Sequence, residues 1–364
     1  MRGMLIRGYR MHKTDFTSDP VDRRKFIAGA AVVAAALTSC APANQGAAAG
    51  SSSNGADQSD GAVADEPSAS AVADSAQESS TVYVTRDISP DGLQRAFDAL
   101  GVAPHGNAAV KLSTGEPGGH NFLSPDLIGG LVQGLGATIV ECNTAYGGAR
   151  STTEGNLQAA RDHGFADIAD VDIMDADGSA SLPVSGGSHL TEDLVGSHFE
   201  NYDWMLSLAH FKGHAMGGFG GAIKNCSIGI ASREGKMLIH SAGASTSSWG
   251  SPAQDDFLES MAEAAKAVAD RLGDNICYVN VMNNLSVDCD CDSHPADPQM
   301  ADIGILASTD PVALDRACVD LVYAAPDGSA LIERMESRNG AHTLEHAEAI
   351  GLGSQTYELV DLDA

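Results

Sequence analysis

The stretch from His210 to His240 concentrates side chains that can do chemistry. It contains three histidines, three lysines, a cysteine and two glycine pairs, at positions His210, Lys212, His214, Gly217, Gly218, Gly220, Gly221, Lys224, Cys226, Lys236 and His240. Histidine exchanges protons near neutral pH, and lysine offers a positive charge to an anion. Glycines let backbone N–H groups approach a ligand closely. The pattern predicts a cradle for a cofactor or an anion, and a purely structural turn is the alternative.

A second cluster, later in the chain, carries potential metal ligands. Cys289 and Cys291 are separated by one residue, and His294 follows. Thiolate and imidazole ligands suit zinc, iron or nickel, and both cysteines can reach one metal where the chain turns. A hard cation is an alternative, because four carboxylates stand in the same stretch: Asp288, Asp290, Asp292 and Asp297. A metal-free acidic loop is a further alternative.

Other reactive side chains give weaker signals. Cys142, Lys111 and His120 stand at or just beyond the ends of predicted strands, a position suited to binding, although an idle buried cysteine is equally compatible with Cys142. Cys277 and Cys318 fall within a predicted strand and a predicted helix, and we expect both in the core. The sequence has no Gly-x-Ser-x-Gly elbow, P-loop or Rossmann glycine fingerprint. The corresponding hydrolases and nucleotide-binding folds are therefore not indicated.

The elements that must position these residues alternate between strands and helices. Short β-branched runs predict strands at 82–85, 109–112, 137–141, 169–174, 203–209, 276–281, 303–307 and 357–362. Apolar residues at three- and four-residue steps, with capping residues, predict helices at 92–100, 125–135, 156–163, 257–272, 311–323 and 344–350. This alternation predicts a single large α/β domain over 81–364, with a largely parallel sheet flanked by helices on both faces. The stretch from His210 would follow the end of a strand, where ligands bind in such sheets.

The N-terminal region has the organisation of an export signal. Arg23 and Arg24 precede a short apolar run at 28–37, which ends in Leu-Thr-Ser-Cys at Cys40. The arginine pair resembles a twin-arginine signal, and the last four residues resemble a lipobox. We expect residues 1–40 to act as a signal peptide, Cys40 to carry the lipid, and residues 41–80, rich in Ala, Ser, Gly and Asp, to form a disordered linker.

This signal implies partners and a location. The expected partners are the twin-arginine translocation machinery and the lipoprotein-processing enzymes, and the expected location is the extracytoplasmic face of the bacterial cytoplasmic membrane, held by the lipid alone. The net charge of −28 argues against binding of nucleic acid or anionic lipid. Six cysteines remain after Cys40, an even number that permits disulfides in an exported chain. A domain of this size does not need disulfides for its stability.

Several separated motifs resemble the family known as domain of unknown function 362. They occur in order between Lys111 and Tyr323 and comprise Lys212-Gly213-His214, Gly217 to Asn225, Ser232 to Lys236 with His240, Asp288 to Cys291, and Asp302 to Asp315. Many members carry a ferredoxin-like insertion soon after the position of His240. Residues 241–256 contain no cysteine, so a four-iron cluster, which needs four thiolates, is not expected.

The family is also distantly similar to the nickel-pincer lactate racemases. That resemblance implies that His214 is an acid/base, that Lys224 holds a cofactor, and that His240 is a metal ligand. The usual Gly-Gly-Arg-Lys sequence is Gly221-Ala222-Ile223-Lys224 here, so the arginine of that sequence is absent.

Two hypotheses about function follow. The first is an enzyme that uses a metal or organometallic cofactor for redox, racemase or isomerase chemistry on a small polar substrate. The second is a tethered, non-catalytic ligand-binding or metal-handling lipoprotein. The first takes His240, Cys289, Cys291 and His294 as ligands, and Lys212, Lys224 and the glycines Gly217, Gly218, Gly220 and Gly221 as the cofactor cradle.

Overall fold

The computed structural model describes residues 79–364. The predicted signal peptide and all but the last two residues of the predicted linker lie outside this range, as does the predicted lipidation site Cys40. Among the described residues, no helix has the length and apolar character needed to cross a membrane.

Twelve strands and nine α-helices make up the described part of the chain. The strands are β1 (Ser80–Thr85), β2 (Ala108–Lys111), β3 (Thr138–Glu141), β4 (Val171–Ile173), β5 (Ser179–Pro183), β6 (Glu192–Gly196), β7 (Trp204–His210), β8 (Lys212–His214), β9 (Gly218–Gly220), β10 (Ile276–Met282), β11 (Gly304–Ser308) and β12 (Tyr357–Asp361). The helices are α1 (Pro90–Asp98), α2 (Pro125–Leu135), α3 (Thr153–Asp162), α4 (Ala222–Cys226), α5 (Arg233–His240), α6 (Gln254–Leu272), α7 (Pro311–Ala324), α8 (Ser329–Ser337) and α9 (His342–Ala349).

Eight of the strands form one sheet in the order β12-β1-β11-β10-β7-β2-β3-β4. Every neighbouring pair is parallel except the two pairs that involve β11, which runs antiparallel to both β1 and β10. Strands β5 and β6 form a separate hairpin, and so do β8 and β9. The carboxyl ends of β2, β3, β7 and β10 therefore meet at one edge of the sheet.

Each face of this sheet is covered by helices. On β7, Trp204, Leu206 and Leu208 pack into one apolar cluster with α1 and α2, whereas Met205 packs into another with α6 and α7. Adjacent residues of a strand point to opposite faces, which accounts for the division. Cys277 and Cys318 are fully buried, as expected. The prediction of a single α/β domain with a largely parallel, doubly covered sheet is confirmed.

Local sequence signals explain the helices that were predicted well. Proline follows a capping residue at the start of α1, α2 and α7, where Ser89, Ser124 and Asp310 accept hydrogen bonds from backbone N–H groups. Gly136 adopts the left-handed conformation (φ 60°) that ends α2. Helix α2 spans the predicted residues 125–135 without a difference at either end.

The prediction missed several short elements. The stretch after β7 is not a continuous turn, because it contains the hairpin of β8 and β9 and the helices α4 and α5. The hairpin of β5 and β6 and helix α8 were also missed. These segments are short or glycine-rich and lack a sustained apolar period, so contacts with the rest of the fold, rather than local sequence preference, decide their structure.

Candidate functional site

A cavity of about 680 Å³ opens where the parallel strands end. Lys111 is the last residue of β2, Glu141 the last of β3 and His210 the last of β7, and all three line it. Cys289 and Cys291, in the segment that follows β10, line it as well. Crevices beyond the carboxyl ends of strands are where α/β sheets bind ligands. The topology therefore brings both chemically suggestive stretches of the sequence to one place.

The stretch from His210 to His240 wraps around this cavity. His214 ends β8, Lys224 lies in α4 and His240 ends α5, and each of them lines the cavity. Gly220 and Gly221 line it too, whereas Gly217 and Gly218 do not belong to its wall. The predicted cradle is thus formed by four consecutive short elements, β8, β9, α4 and α5, with the reactive side chains on the side that faces the cavity.

One distant carboxylate fixes the start of α4. Asp315 of α7 accepts hydrogen bonds from the backbone N–H groups of Ala222 (2.7 Å) and Ile223 (3.0 Å), and Asn280 of β10 donates a third (2.7 Å). All of these groups are buried. Because the first N–H groups of a helix have no partner within the helix, Asp315 supplies the acceptors that α4 lacks. This contact sets the position of Lys224.

Two glycines of the same turn should respond very differently to alanine. A Cβ at Gly221 would collide with the Asp315 carboxylate, whereas a Cβ at Gly217 would meet no atom closer than 3.4 Å. We expect Gly221→Ala to lower the free energy of unfolding by about 1–3 kcal/mol, since it displaces a buried hydrogen-bond acceptor. Gly217→Ala, the matched control, should change it by less than about 0.5 kcal/mol. Urea denaturation measures both, and equal effects would contradict this account.

Asp290 holds the cysteine-containing segment in place. Its carboxylate accepts hydrogen bonds from Lys212 Nζ (2.7 Å) and pairs with His210 Nδ1 (2.9 Å), and all three residues are buried. Burial alone would raise the pKa of Asp290, but the charges and hydrogen bonds of Lys212 and His210 hold it below its usual value. Lys212, predicted to bind a cofactor, therefore directs its ammonium group to Asp290 and positions the loop of Cys289 and Cys291.

Three ligand atoms gather at the cavity wall. One nitrogen of His214 and the sulfurs of Cys289 and Cys291 lie within 4.8 Å of one another. A hydrogen bond from the Cys291 thiol, reinforced by the charges of Lys224 and Lys212, outweighs burial and holds the pKa of Cys289 well below its usual value. The same hydrogen bond raises the pKa of Cys291. Cys289 is thus the more acidic of the two thiols, and Lys224 Nζ lies 3.8 Å from its sulfur.

The structure separates the other two predicted ligands. His240 lines the same cavity but does not belong to the group of three. His294 is exposed, lies outside the cavity wall, and makes a hydrogen bond of 2.9 Å with Ser293 through Nδ1. The histidine of this group is accordingly His214, the residue that the racemase resemblance assigned to proton transfer.

His214 and His240 carry their protons on different nitrogens. Nδ1 of His214 accepts a hydrogen bond from the backbone N–H of Gly217 (2.8 Å), which leaves the proton of the neutral ring on Nε2. Nδ1 of His240 instead faces the carbonyl oxygen of Lys236 (2.6 Å) and must donate to it, which leaves a lone pair on Nε2. Burial, with the charges of Lys224 and other nearby groups, lowers the pKa of His214, and burial lowers that of His240 to about 4. Both rings are neutral at pH 7.

The ligand atoms in this cavity are of the kinds that soft metals bind. Two sulfurs and one imidazole are the ligands that zinc, iron and nickel take in proteins. His240 has the arrangement typical of metal-bound histidines, whose second ring nitrogen donates to a backbone carbonyl. His214 would bind a metal through Nε2 only after losing the proton held there. Cys289 and Cys291 would therefore contribute two sulfurs to a metal, with His214 beside them as a hydrogen-bond donor. His240, in the wall of the same cavity, has the lone pair on Nε2 that a third ligand needs.

A buried ion network forms another part of the cavity wall. Glu141 pairs with Lys111 (3.0 Å) and Arg150 (3.4 Å), and Arg150 also pairs with Glu116 (3.4 Å). Burial would raise the pKa of Glu141, but Lys111, Arg150 and the N–H of Thr114 hold it below its usual value. Cys142 lines the cavity beside this network, where burial raises the pKa of its thiol to about 12. Cys142 is therefore a neutral, unreactive part of the wall.

Some of these residues had no sequence signal that assigned them to the site. Glu141 ends a predicted strand but was assigned no role, Arg150 was not singled out, and Asp290 was considered as a ligand of a hard cation and as part of a family motif. Lys111 was recognised as a candidate from its place at a strand end, and it does line the cavity. His120, from the same loop, is exposed and lies 3.5 Å from Asp297. Lys236 also lines the cavity. It belongs to one of the family motifs, but the sequence assigned it no role.

Comparison with known proteins places the chain in a family. The family model described as Domain of unknown function (DUF362) matches residues 108–320. A search of curated proteins found no match. Among solved structures, the lactate racemase apoprotein from Thermoanaerobacterium thermosaccharolyticum is 13% identical with a TM-score of 0.41, over 66% of this chain and 56% of that one. A structural-genomics protein from Thermotoga maritima is 12% identical with a TM-score of 0.37, over 71% and 58%.

The chain thus spans less than two thirds of the length of either solved structure. The family match covers more than half of this chain and includes every motif around the cavity, from Lys111 to Asp315. The protein belongs to the family described as Domain of unknown function (DUF362).

Proposed function

We propose that this protein is an exported, lipid-anchored enzyme that uses a metal or organometallic cofactor for redox, racemase or isomerase chemistry on a small polar substrate. The observation that carries the proposal is the meeting of His214, Cys289 and Cys291 at the wall of one cavity, beyond the carboxyl ends of the parallel strands. The predicted signal peptide and Cys40 support the export and the lipid anchor.

Different residues of the cavity would bind the cofactor and act on the substrate. A bound metal or organometallic cofactor would supply a Lewis acid or an electron acceptor. Cys289, Cys291 and His240 would hold it, and Lys224 would neutralise an anionic part of it or bond to it covalently. Nε2–H of the neutral His214 ring can donate a hydrogen bond to a substrate oxygen and so polarise the substrate. Trp249 and Phe257 contact the ring of His240 and restrict its access to water.

Metal analysis of the protein exported with its own N-terminus tests the proposal. We expect stoichiometric nickel, iron or zinc, and at least about tenfold lower occupancy in Cys289→Ala and His240→Ala, because each removes a ligand. Cys226→Ala and His294→Ala are the matched controls, since Cys226 is buried away from the cavity wall and His294 is exposed. Native mass spectrometry reports any adduct on Lys224. After cell fractionation, we expect the Cys40→Ala variant to be absent from the membrane fraction, because it cannot carry the lipid.

The outcome that contradicts the proposal is a metal-free wild type with an unchanged fold, or metal content that is equal in all four variants. A metal-handling lipoprotein without turnover is the second candidate, and the partial exposure of Cys291 favours it because metal could be passed to a partner there. His214→Ala separates the two functions. If His214→Ala loses turnover but retains its metal, the protein is an enzyme. If no variant, and not the wild type, shows turnover, and His214→Ala exchanges metal with a chelator as the wild type does, the protein handles metal.

A further inference from the structure

The cavity collects most of the lysines in the described part of the chain. Four of the five, namely Lys111, Lys212, Lys224 and Lys236, line its wall, and the fifth, Lys266, lies outside it. The chain as a whole has a net charge of −28. Four carboxylates, those of Glu116, Glu141, Asp288 and Asp292, line the same cavity. The attraction for an anion therefore depends on which lysines have no carboxylate partner.

Two of these lysines are neutralised by the protein itself. Lys111 pairs with Glu141 at 3.0 Å and Lys212 pairs with Asp290 at 2.7 Å, and all four side chains are buried. Their charges hold the walls together. Neither of these two ammonium groups is therefore free to pair with a ligand.

Lys236 has no such partner. It is 8% exposed, its Nζ donates to the carbonyl oxygen of Ala231, and no ion pair joins it to a carboxylate among residues 79–364. Asp193 is buried nearby, but burial raises its pKa to about 7, so this carboxyl is a weak counter-charge at neutral pH. Burial outweighs the attraction of the more distant Asp175 and Glu141 and lowers the pKa of Lys236. A buried ammonium without an ion-pair partner is unfavourable, and an anionic ligand would supply that partner.

The position of Lys236 relates it to the proposed chemistry. Lys236 and His240 are one turn apart on α5, and both line the cavity together with Lys224 of α4. The carbonyl oxygen of Lys236 also accepts the hydrogen bond that leaves a lone pair on Nε2 of His240. An anion held by Lys236 would thus occupy the same cavity as the candidate metal ligands.

We propose that Lys236 binds an anionic oxygen group, a carboxylate or a phosphate, on the ligand of this cavity, and that the natural substrate is an organic anion. The anion site is inferred from the position of Lys236 in the cavity wall, its burial and its lack of an ion-pair partner within residues 79–364. The statement that the anion belongs to a substrate rests on the proposed function.

Anion titration of the full-length protein tests this site. Malonate and inorganic phosphate, each added at constant ionic strength against a chloride background, distinguish a carboxylate from a phosphate. We expect one of them to raise Tm saturably and to bind in calorimetry. Lys236→Met should weaken that binding about 10- to 100-fold, because one charge-assisted hydrogen bond is lost. Lys236→Arg should retain part of it, and Lys266→Met, the control lysine outside the cavity, should bind as the wild type does.

The stability of the variant without any anion gives an independent readout. If Lys236 serves a ligand, Lys236→Met should have a Tm equal to or above that of the wild type, since an unpaired buried charge has been removed. A lower Tm together with unchanged anion binding would assign Lys236 a structural role and overturn the proposal. Failure of the wild type to bind either anion saturably would overturn it too.

Metal analysis of the same samples keeps this inference separate from the proposed function. Bound metal without saturable anion binding would reject the anion site and leave the metal-dependent function standing. Saturable, Lys236-dependent anion binding by a protein that carries no metal would support the anion site and reject the metal-dependent function.

Discussion

Replacing Asp290 with alanine is expected to lower the free energy of unfolding by about 3–5 kcal/mol. The substitution removes the carboxylate that pairs with Lys212 Nζ (2.7 Å) and His210 Nδ1 (2.9 Å), and it leaves the buried Lys212 ammonium without a counter-charge. The loop that carries Cys289 and Cys291 would also lose two side-chain contacts, one to the end of β7 and one to the start of β8. Metal content should therefore fall even though no ligand has been changed.

A matched control separates this effect from a general loss of negative charge. Asp297 lies in the same acidic segment, and its side chain is 93% exposed. Asp297→Ala should change the free energy of unfolding by less than about 0.5 kcal/mol and leave metal content as in the wild type. Urea denaturation with elemental analysis measures both quantities. If Asp290→Ala is as stable as Asp297→Ala, the carboxylate does not hold this wall of the cavity.

Removing Glu141 should have a comparable effect on the ion network of the cavity wall. Glu141→Ala leaves Lys111 buried without its carboxylate and deprives Arg150 of one of its two carboxylate partners, so we expect a loss of about 3–5 kcal/mol at pH 7. Glu154→Ala is the control, because Glu154 is exposed in the first turn of α3. Urea denaturation at pH 7 measures the difference between the two variants.

The pH dependence of this loss has a definite sign. In the folded protein the pKa of Glu141 is lower than its ordinary value of 4.5, so the unfolded chain binds the proton more tightly. The stabilisation from Glu141 is present above that ordinary value and is lost as the pH falls through the folded pKa. The gap in stability between the wild type and Glu141→Ala should shrink below pH 4.5. A gap that widens in acid would contradict the ion network described here.

The sequence alone determined the fold class and the region of the site. The alternation of apolar strands with capped, amphipathic helices specifies an α/β sheet, since each element's periodicity is a local property. The motifs between Lys111 and Asp315 identified the family, and the end of the strand before His210 indicated where a ligand would bind. Cys289, Cys291, His214, Lys224 and His240, all selected from residue type and spacing, meet in one cavity.

Only the tertiary structure decided how these residues divide their roles. Asp290 reaches His210 and Lys212 across about 80 positions of sequence, and Asp315 caps α4 from more than 90 positions away. Lys212 has a carboxylate partner and Lys236 has none among the described residues, although both are lysines in the same stretch. The proton positions of His214 and His240 depend on backbone groups that no residue pattern encodes. Pairing, burial and protonation arise from contacts between distant segments, and the sheet topology that brings those segments together determines the chemistry of the site.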